Sequence, residues 1–145
     1  MMQWDVLLYV EDDEQYAELL LCTLKQGGFQ HRLVHLPSAI EAISYLKGEG
    51  KYSDREAFPI PGVLLADLKM PRLSGLELLR WVREESKYRN LPFVVLTSSD
   101  DLQDIKTAYS LGANSFLIKP PSIADLKEMM QALDNFWMKY NVTAE

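Results

Sequence analysis

Val63-Leu64-Leu65-Ala66-Asp67-Leu68-Lys69-Met70-Pro71 is the stretch that decides how this chain folds. An apolar run of strand length ends in one carboxylate, and a Met-Pro turn stops the strand from continuing. A run that is apolar at every position, rather than alternating, belongs to a strand covered on both faces. Its carboxylate gains meaning from what the other strands deliver to the same edge.

Working outward, Asp5-Val6-Leu7-Leu8-Tyr9-Val10 is a second near-continuous apolar run, and it stops abruptly at Glu11-Asp12-Asp13. Pro92 introduces a third, Phe93-Val94-Val95-Leu96-Thr97, which ends in hydroxyls. Ser115-Phe116-Leu117-Ile118 is a fourth, ending at Lys119-Pro120-Pro121. Phe29 to His35 alternates weakly around Val34 and predicts a short further strand. His31 and His35 share that segment without an acidic or cysteine neighbour, so they are expected on the surface rather than as ligands.

Helical spacing fills the intervals. Ala17, Leu20, Leu21 and Leu24 recur on one face after Asp13, a suitable N-cap, and Gly27-Gly28 closes that helix. Ser38-Ala39-Ile40-Glu41 and Ser74-Gly75-Leu76-Glu77 read as capping boxes. They open helices with inner faces Ala39, Ala42, Ile43, Leu46 and Leu76, Leu79, Val82. Asp100 and Asp101 start a fourth helix, with Leu102, Ile105, Ala108 and Tyr109 inward and Gly112 as its stop. The last helix begins at Ser122 and carries Leu126, Met129, Met130, Leu133, Trp137 and Tyr140 at helical spacing. Residues 48–61, rich in Gly, Ser, Asp and Pro, are expected to form a long exposed loop, a tolerated insertion rather than a binding element.

Alternation of buried strands with helices implies a parallel sheet covered on both sides, a single-domain three-layer α/β fold with five strands and five helices. In such sheets ligands bind beyond the carboxyl ends of the strands, where strand order reverses. A length of 145 residues suits one domain, and 48% hydrophobic with 25% charged residues is an ordinary globular mixture. The net charge of −6 argues against a nucleic-acid partner. No apolar run reaches the roughly 20 residues of a membrane helix, and Met1-Met2-Gln3-Trp4-Asp5 lacks signal-peptide character, so a cytoplasmic protein without membrane contact is expected. Cys22, the single cysteine, rules out an internal disulfide and is expected as a small core residue.

Glu11, Asp12 and Asp67 would converge at one sheet edge, where each close pair of carboxylates costs roughly 4 kcal/mol at an effective dielectric near 20. A cation must join them. Oxygen-only ligands with room for water favour Mg²⁺ over Ca²⁺. Thr97 adds a hydroxyl and Lys119 a mobile positive charge, groups suited to a phosphoryl group. No strong general base is in the set, which fits transfer to a carboxylate already ionised at neutral pH.

On Val10-Glu11-Asp12-Asp13, Asp67 with Met70-Pro71 and Gly75, Thr97-Ser98 and Lys119-Pro120, the chain resembles a response-regulator receiver domain of two-component signalling over nearly its whole length. The resemblance implies the flavodoxin-like receiver sheet in order 2-1-3-4-5, a receiver domain over residues 4–141 and no separate output domain. It implies that Asp67 is the phosphoacceptor, taking its phosphoryl group from the phosphohistidine of a sensor histidine kinase. Mg²⁺ would be held by Asp12, Asp67, Glu11 through water and the backbone carbonyl of Lys69. Thr97 and Lys119 would bind the phosphoryl oxygens, Phe116 would be the switch aromatic, and Lys119–Pro120 would be a cis bond. Lys69 and Ser99, two residues after Asp67 and Thr97, resemble positions that tune dephosphorylation. We expect Lys69 to alter phosphoryl lifetime by competing electrostatically for the group.

Phe116 lacks the hydroxyl of the tyrosine common at this position, and Pro121 stands where an aromatic is frequent. Asn135-Phe136-Trp137-Met138-Lys139-Tyr140, with the long loop before Asp67, is similar to the stand-alone receivers that work with bacterial phytochromes. We expect Trp137 and Tyr140 to cover the domain's own core, with a homodimer through the last strand and C-terminal helix as the other use of this surface. The downstream target is expected to be a protein. The rivals are an adaptor of receiver fold that is never phosphorylated, a Mg²⁺-dependent aspartyl-phosphate phosphohydrolase and a flavin module. The hydrolase would want an acid where Lys69 stands, and the flavin module a phosphate loop where Glu11-Asp12-Asp13 stand.

Overall fold

The computed structural model describes residues 6–85 and 87–142. Five parallel strands, β1 (Val6–Val10), β2 (Arg32–Leu36), β3 (Val63–Ala66), β4 (Phe93–Thr97) and β5 (Ser115–Ile118), pair in the order β2-β1-β3-β4-β5. The strand order and the five-helix complement match expectation. Asp5, expected to open β1, and Trp4, within the expected domain span, lie outside the described residues.

Alternation along each strand sorts the core into two layers. Leu8, Val10, Leu64, Ala66, Phe93 and Val95 face α2 (Ala39–Lys47), α3 (Gly75–Glu84) and α4 (Leu102–Leu111). Leu7, Tyr9, Val63, Leu65, Val94 and Leu96 face α1 (Glu14–Gln26) and α5 (Ile123–Leu133). A parallel sheet enclosed on both sides explains why these strands read as continuous apolar runs. The predicted caps form: Asp13 Oδ1 accepts from the Gln15 and Tyr16 N–H groups, and Gly112 ends α4 in the left-handed region. Ser74 and Glu77 complete a reciprocal capping box. Only half of the box expected at α2 forms: Ser38 accepts from the Glu41 N–H, while the Glu41 carboxylate takes the Tyr52 hydroxyl instead.

Several expectations are corrected. Residues 48–61 are not a bare exposed loop. They contain a 3-10 turn, Gly50–Ser53, with Tyr52 buried and its ring 5.1 Å from those of both Tyr45 and Phe58. Arg55 donates to the Tyr45 and Leu46 carbonyls, adding to the Gly48 N–H and the Tyr88 hydroxyl that also reach these acceptors at the end of α2. Cys22 is exposed rather than in the core, because it lies two residues, or about 200°, from Leu20 on the buried face of α1. In α4 only Ala108 is fully buried, with Leu102 62% and Tyr109 49% exposed, because the helix lays only Ala108 and Leu111 on the core layer. α5 runs on into a π-wound segment, Asp134–Tyr140, in which Trp137 packs on the α1/α5 layer but Tyr140 stays 77% exposed. Tyr140 therefore does not cover the core.

Gly75 governs the approach of α3 to the strand it follows. A Cβ there would stand 2.1 Å from the Asp67 carbonyl oxygen and 2.8 Å from Leu68 Cα, both fixed backbone atoms. Gly75→Ala is expected to lower the unfolding free energy by about 1–3 kcal/mol, as for other overpacked sites. Urea denaturation measures this, and an unchanged midpoint would contradict the contact.

Candidate functional site

Register brings the strand ends level. Val10 pairs with Ala66, Ala66 with Val95 and Thr97 with Ile118. The residues just past those ends continue the ladder: Asp67 N–H donates to the Val10 carbonyl and Lys119 N–H to that of Thr97. Glu11, Asp12, Asp67, Thr97 and Lys119, widely separated in sequence, thereby reach one rim.

Glu11 is fully buried, and its carboxylate is held on three sides. Oε1 accepts from Tyr9 Oη at 3.2 Å and from Lys119 Nζ at 2.8 Å, while Oε2 accepts from the Asp13 N–H at 3.2 Å. Burial pushes its carboxyl up to about 7, the Lys119 hydrogen bond opposing the rise and the Asp67 charge adding to it. Asp67 is buried, with Oδ2 2.9 Å from Lys119 Nζ and Oδ1 accepting from the Lys69 N–H at 3.3 Å. Burial opposes the charge on Lys119, but its hydrogen bonds to Glu11 and Asp67 hold the ammonium above the usual lysine range. One oxygen from each of Glu11, Asp12 and Asp67 lies within 4.8 Å of the others, with Asp12 on the solvent side. Three hard oxygen donors opening toward water fit a divalent cation.

Thr97 is buried, and its hydroxyl accepts from the Ser99 N–H at 3.4 Å. Phe116 is half-buried against the α2/α3/α4 layer. Lys69 Nζ pairs with α4, 3.1 Å from Asp104 Oδ2. Ser99 Oγ donates to that same oxygen at 2.6 Å, and these two contacts hold the Asp104 carboxyl below the usual range. The expected cis bond is corrected: no cis peptide occurs among the described residues, so Lys119–Pro120 is trans. Trans is the lower-energy isomer by about 0.5–1 kcal/mol. Lys119 here keeps its ladder hydrogen bond and reaches both acids without leaving it.

Four contributors escaped the sequence. Tyr16 presents its ring 4.2 Å from Lys119 Nζ, a cation–π contact. Its place on the first turn after Asp13 is the one cue the sequence carries. Tyr9 supports Glu11 from within β1, and Asp104 anchors Lys69 from α4. His35 also braces the rim, its Nε2 2.9 Å from the Glu11 carbonyl oxygen.

A doubly covered parallel sheet, with acids on two adjacent strand ends and a hydroxyl and a lysine on the next two, is the architecture of a receiver. Residues 7–131 match the response regulator receiver domain, and the chain belongs to that family. The response regulator Rcp1 of Synechocystis sp. is 32% identical over 134 residues, covering 92% of this chain and 89% of Rcp1. The structure of the phosphorylated cyanobacterial phytochrome response regulator RcpA superposes with a TM-score of 0.88 at 26% identity, over 97% of this chain and 98% of that one. Mn²⁺-bound Rcp1 superposes with a TM-score of 0.85 at 31% identity, over 97% and 99%. A divalent-metal site at Glu11, Asp12 and Asp67 is consistent with that bound Mn²⁺.

A cation bound only by the folded state stabilises it, by about 2.7 kcal/mol at a hundredfold excess over Kd. Millimolar Mg²⁺ or Mn²⁺ is therefore expected to raise Tm by several degrees, reversibly with EDTA, and Asp12→Asn is expected to abolish most of the rise. A Tm indifferent to both ions would contradict the site.

Proposed function

We propose that the protein is a response regulator that accepts a phosphoryl group on Asp67 from the phosphohistidine of a sensor histidine kinase and signals through protein contacts. The observation that carries this is the Lys119 ammonium bridging Glu11 and Asp67, with Asp12 beside them. Lys119 sets a cation between the Asp67 carboxylate and Glu11, offsetting their mutual repulsion and leaving Asp67 to serve as the nucleophile.

Attack by an Asp67 oxygen forms the O–P bond as the N–P bond of the phosphohistidine breaks, the bonding pair returning to the imidazole ring. Lys119 and the Thr97 hydroxyl would bind phosphoryl oxygens as charge shifts onto them. Mg²⁺ held by Glu11, Asp12, Asp67 and the Lys69 backbone carbonyl would neutralise that charge. The likeness to RcpA supports a kinase of phytochrome type. Ile118, Ile123, Phe136 and Tyr140, exposed along β5, α5 and its extension, support a protein-contact surface there, including contact with a second copy.

Incubation with Mg²⁺ and acetyl phosphate is expected to add one acid-labile phosphoryl mass to the wild type and none to Asp67→Asn. A wild type that binds the metal yet gains no mass would sink the phosphoacceptor role. Native mass measurement before and after phosphorylation reads the second-copy contact, and a monomer in both states would remove it.

A further inference from the structure

Beyond the strand-end carboxylates, a closed bridge crosses the rim of the site. Lys69 N–H donates to Asp67 Oδ1, Lys69 Nζ pairs with Asp104 Oδ2, Ser99 Oγ donates to that oxygen, and Ser99 N–H donates to Thr97 Oγ1. The bridge links the turn after β3 to the turn after β4 by way of the first turn of α4. Asp104 is its hub. Lys69 is mostly exposed and unconstrained except at this end, whereas Asp104 is largely covered and held by Ser99 as well.

The charge distribution shows what the hub does. Asp67, two residues from Lys69, stands with Glu11 and Asp12 in an acidic cluster that the single Lys119 ammonium only partly neutralises, and an unpaired ammonium on this flexible stem would be drawn toward it. Asp104 supplies a competing carboxylate, 3.1 Å from Lys69 Nζ. We propose that Asp104 is a positioning residue for phosphoryl chemistry at Asp67: it holds the Lys69 ammonium off the phosphoacceptor and so sets how strongly Lys69 shields the acyl phosphate from water. This rests on Asp67 being the phosphoacceptor. No bond to phosphorus passes through Asp104; it acts by dividing Lys69 between two anions, itself and the phosphoryl group.

The test is the decay of acetyl-phosphate-labelled protein after EDTA, so that lifetime is read without metal-assisted turnover. Releasing an ion pair of this exposure changes a competing equilibrium by about 2- to 5-fold. Asp104→Asn is expected to lengthen the half-life by that factor, Lys69→Ala to shorten it, and the double variant to match Lys69→Ala. Asp104→Glu, which keeps the carboxylate, is expected to return the half-life toward the wild type. Raised salt should shrink the gap between wild type and Asp104→Asn, an effect that a purely structural role would not produce. A half-life unchanged in Asp104→Asn, or an Asp104→Asn effect that survives removal of Lys69, would overturn the proposal while leaving the phosphoacceptor reading intact. A wild type that takes no acid-labile phosphate would overturn both.

Discussion

The Lys119 ammonium between Glu11 and Asp67 is the interaction on which the rest of the site depends. Two carboxylates drawn from adjacent strands are buried within reach of one cation, and without it their repulsion would reach several kcal/mol. Removing one partner from such a cluster costs more than the pair contributes, because a buried charge is left uncompensated. The surroundings are built accordingly. Tyr9 and the Asp13 N–H donate to the two oxygens of Glu11, and the Tyr16 ring packs 4.2 Å from the ammonium. Tyr16 leaves its own hydroxyl buried without a partner among the described residues, an unfavourable arrangement offset by that ring contact.

Parallel pairing is what makes the cluster possible. Each strand enters the sheet in the same direction, so the residue after each strand arrives at the same edge, and the register fixes its height. β1, β3 and β4 are buried throughout and hold Glu11, Asp67 and Thr97 rigidly. β5 and α4 are much less covered. The acids and hydroxyl therefore stand on the stiff half of the molecule, while Lys119 and Asp104, the charged groups that answer to them, stand on the loosely packed half. Elements with few buried contacts are the ones able to respond to a small change in charge.

This division also separates what was legible in the sequence from what was not. Continuous apolar runs marked the strands because both faces are covered, and the caps Asp13, Ser74 and Ser122 and the stop Gly112 marked helix ends through local backbone needs. The site acids, Thr97 and Lys119 followed from strand ends alone. Contacts between segments distant in sequence left no periodic trace. Tyr45, Tyr52 and Phe58 meet only after the chain doubles back, and Arg55 caps a helix it does not belong to. Periodicity misled at Cys22, Leu102 and Tyr109 because it gives the direction a helix face points and not how much of that face is covered. Asp104 was invisible for a different reason: an acid in the first turn of a helix already has an ordinary explanation in the helix dipole.

The same asymmetry bears on how a change at Asp67 would travel. On the proposed function, the aromatic route runs from Thr97 to Phe116, and its driving force is the burial still to be gained. Phe116 is already half-buried and has no hydroxyl to stabilise an outward state, so only part of the roughly 1.5–3 kcal/mol for a full aromatic burial is left to distinguish two positions. An ionic route has no such ceiling set by packing. A phosphoryl group adds charge beside Lys69, and the pull on that ammonium is felt at once by Asp104 and Ser99, at the least covered helix of the fold. The limit on the ionic route is solvent instead: a pair as exposed as Lys69–Asp104 is worth about 0.2–1 kcal/mol, so on the proposed function the two routes are comparable and would add at the first turn of α4.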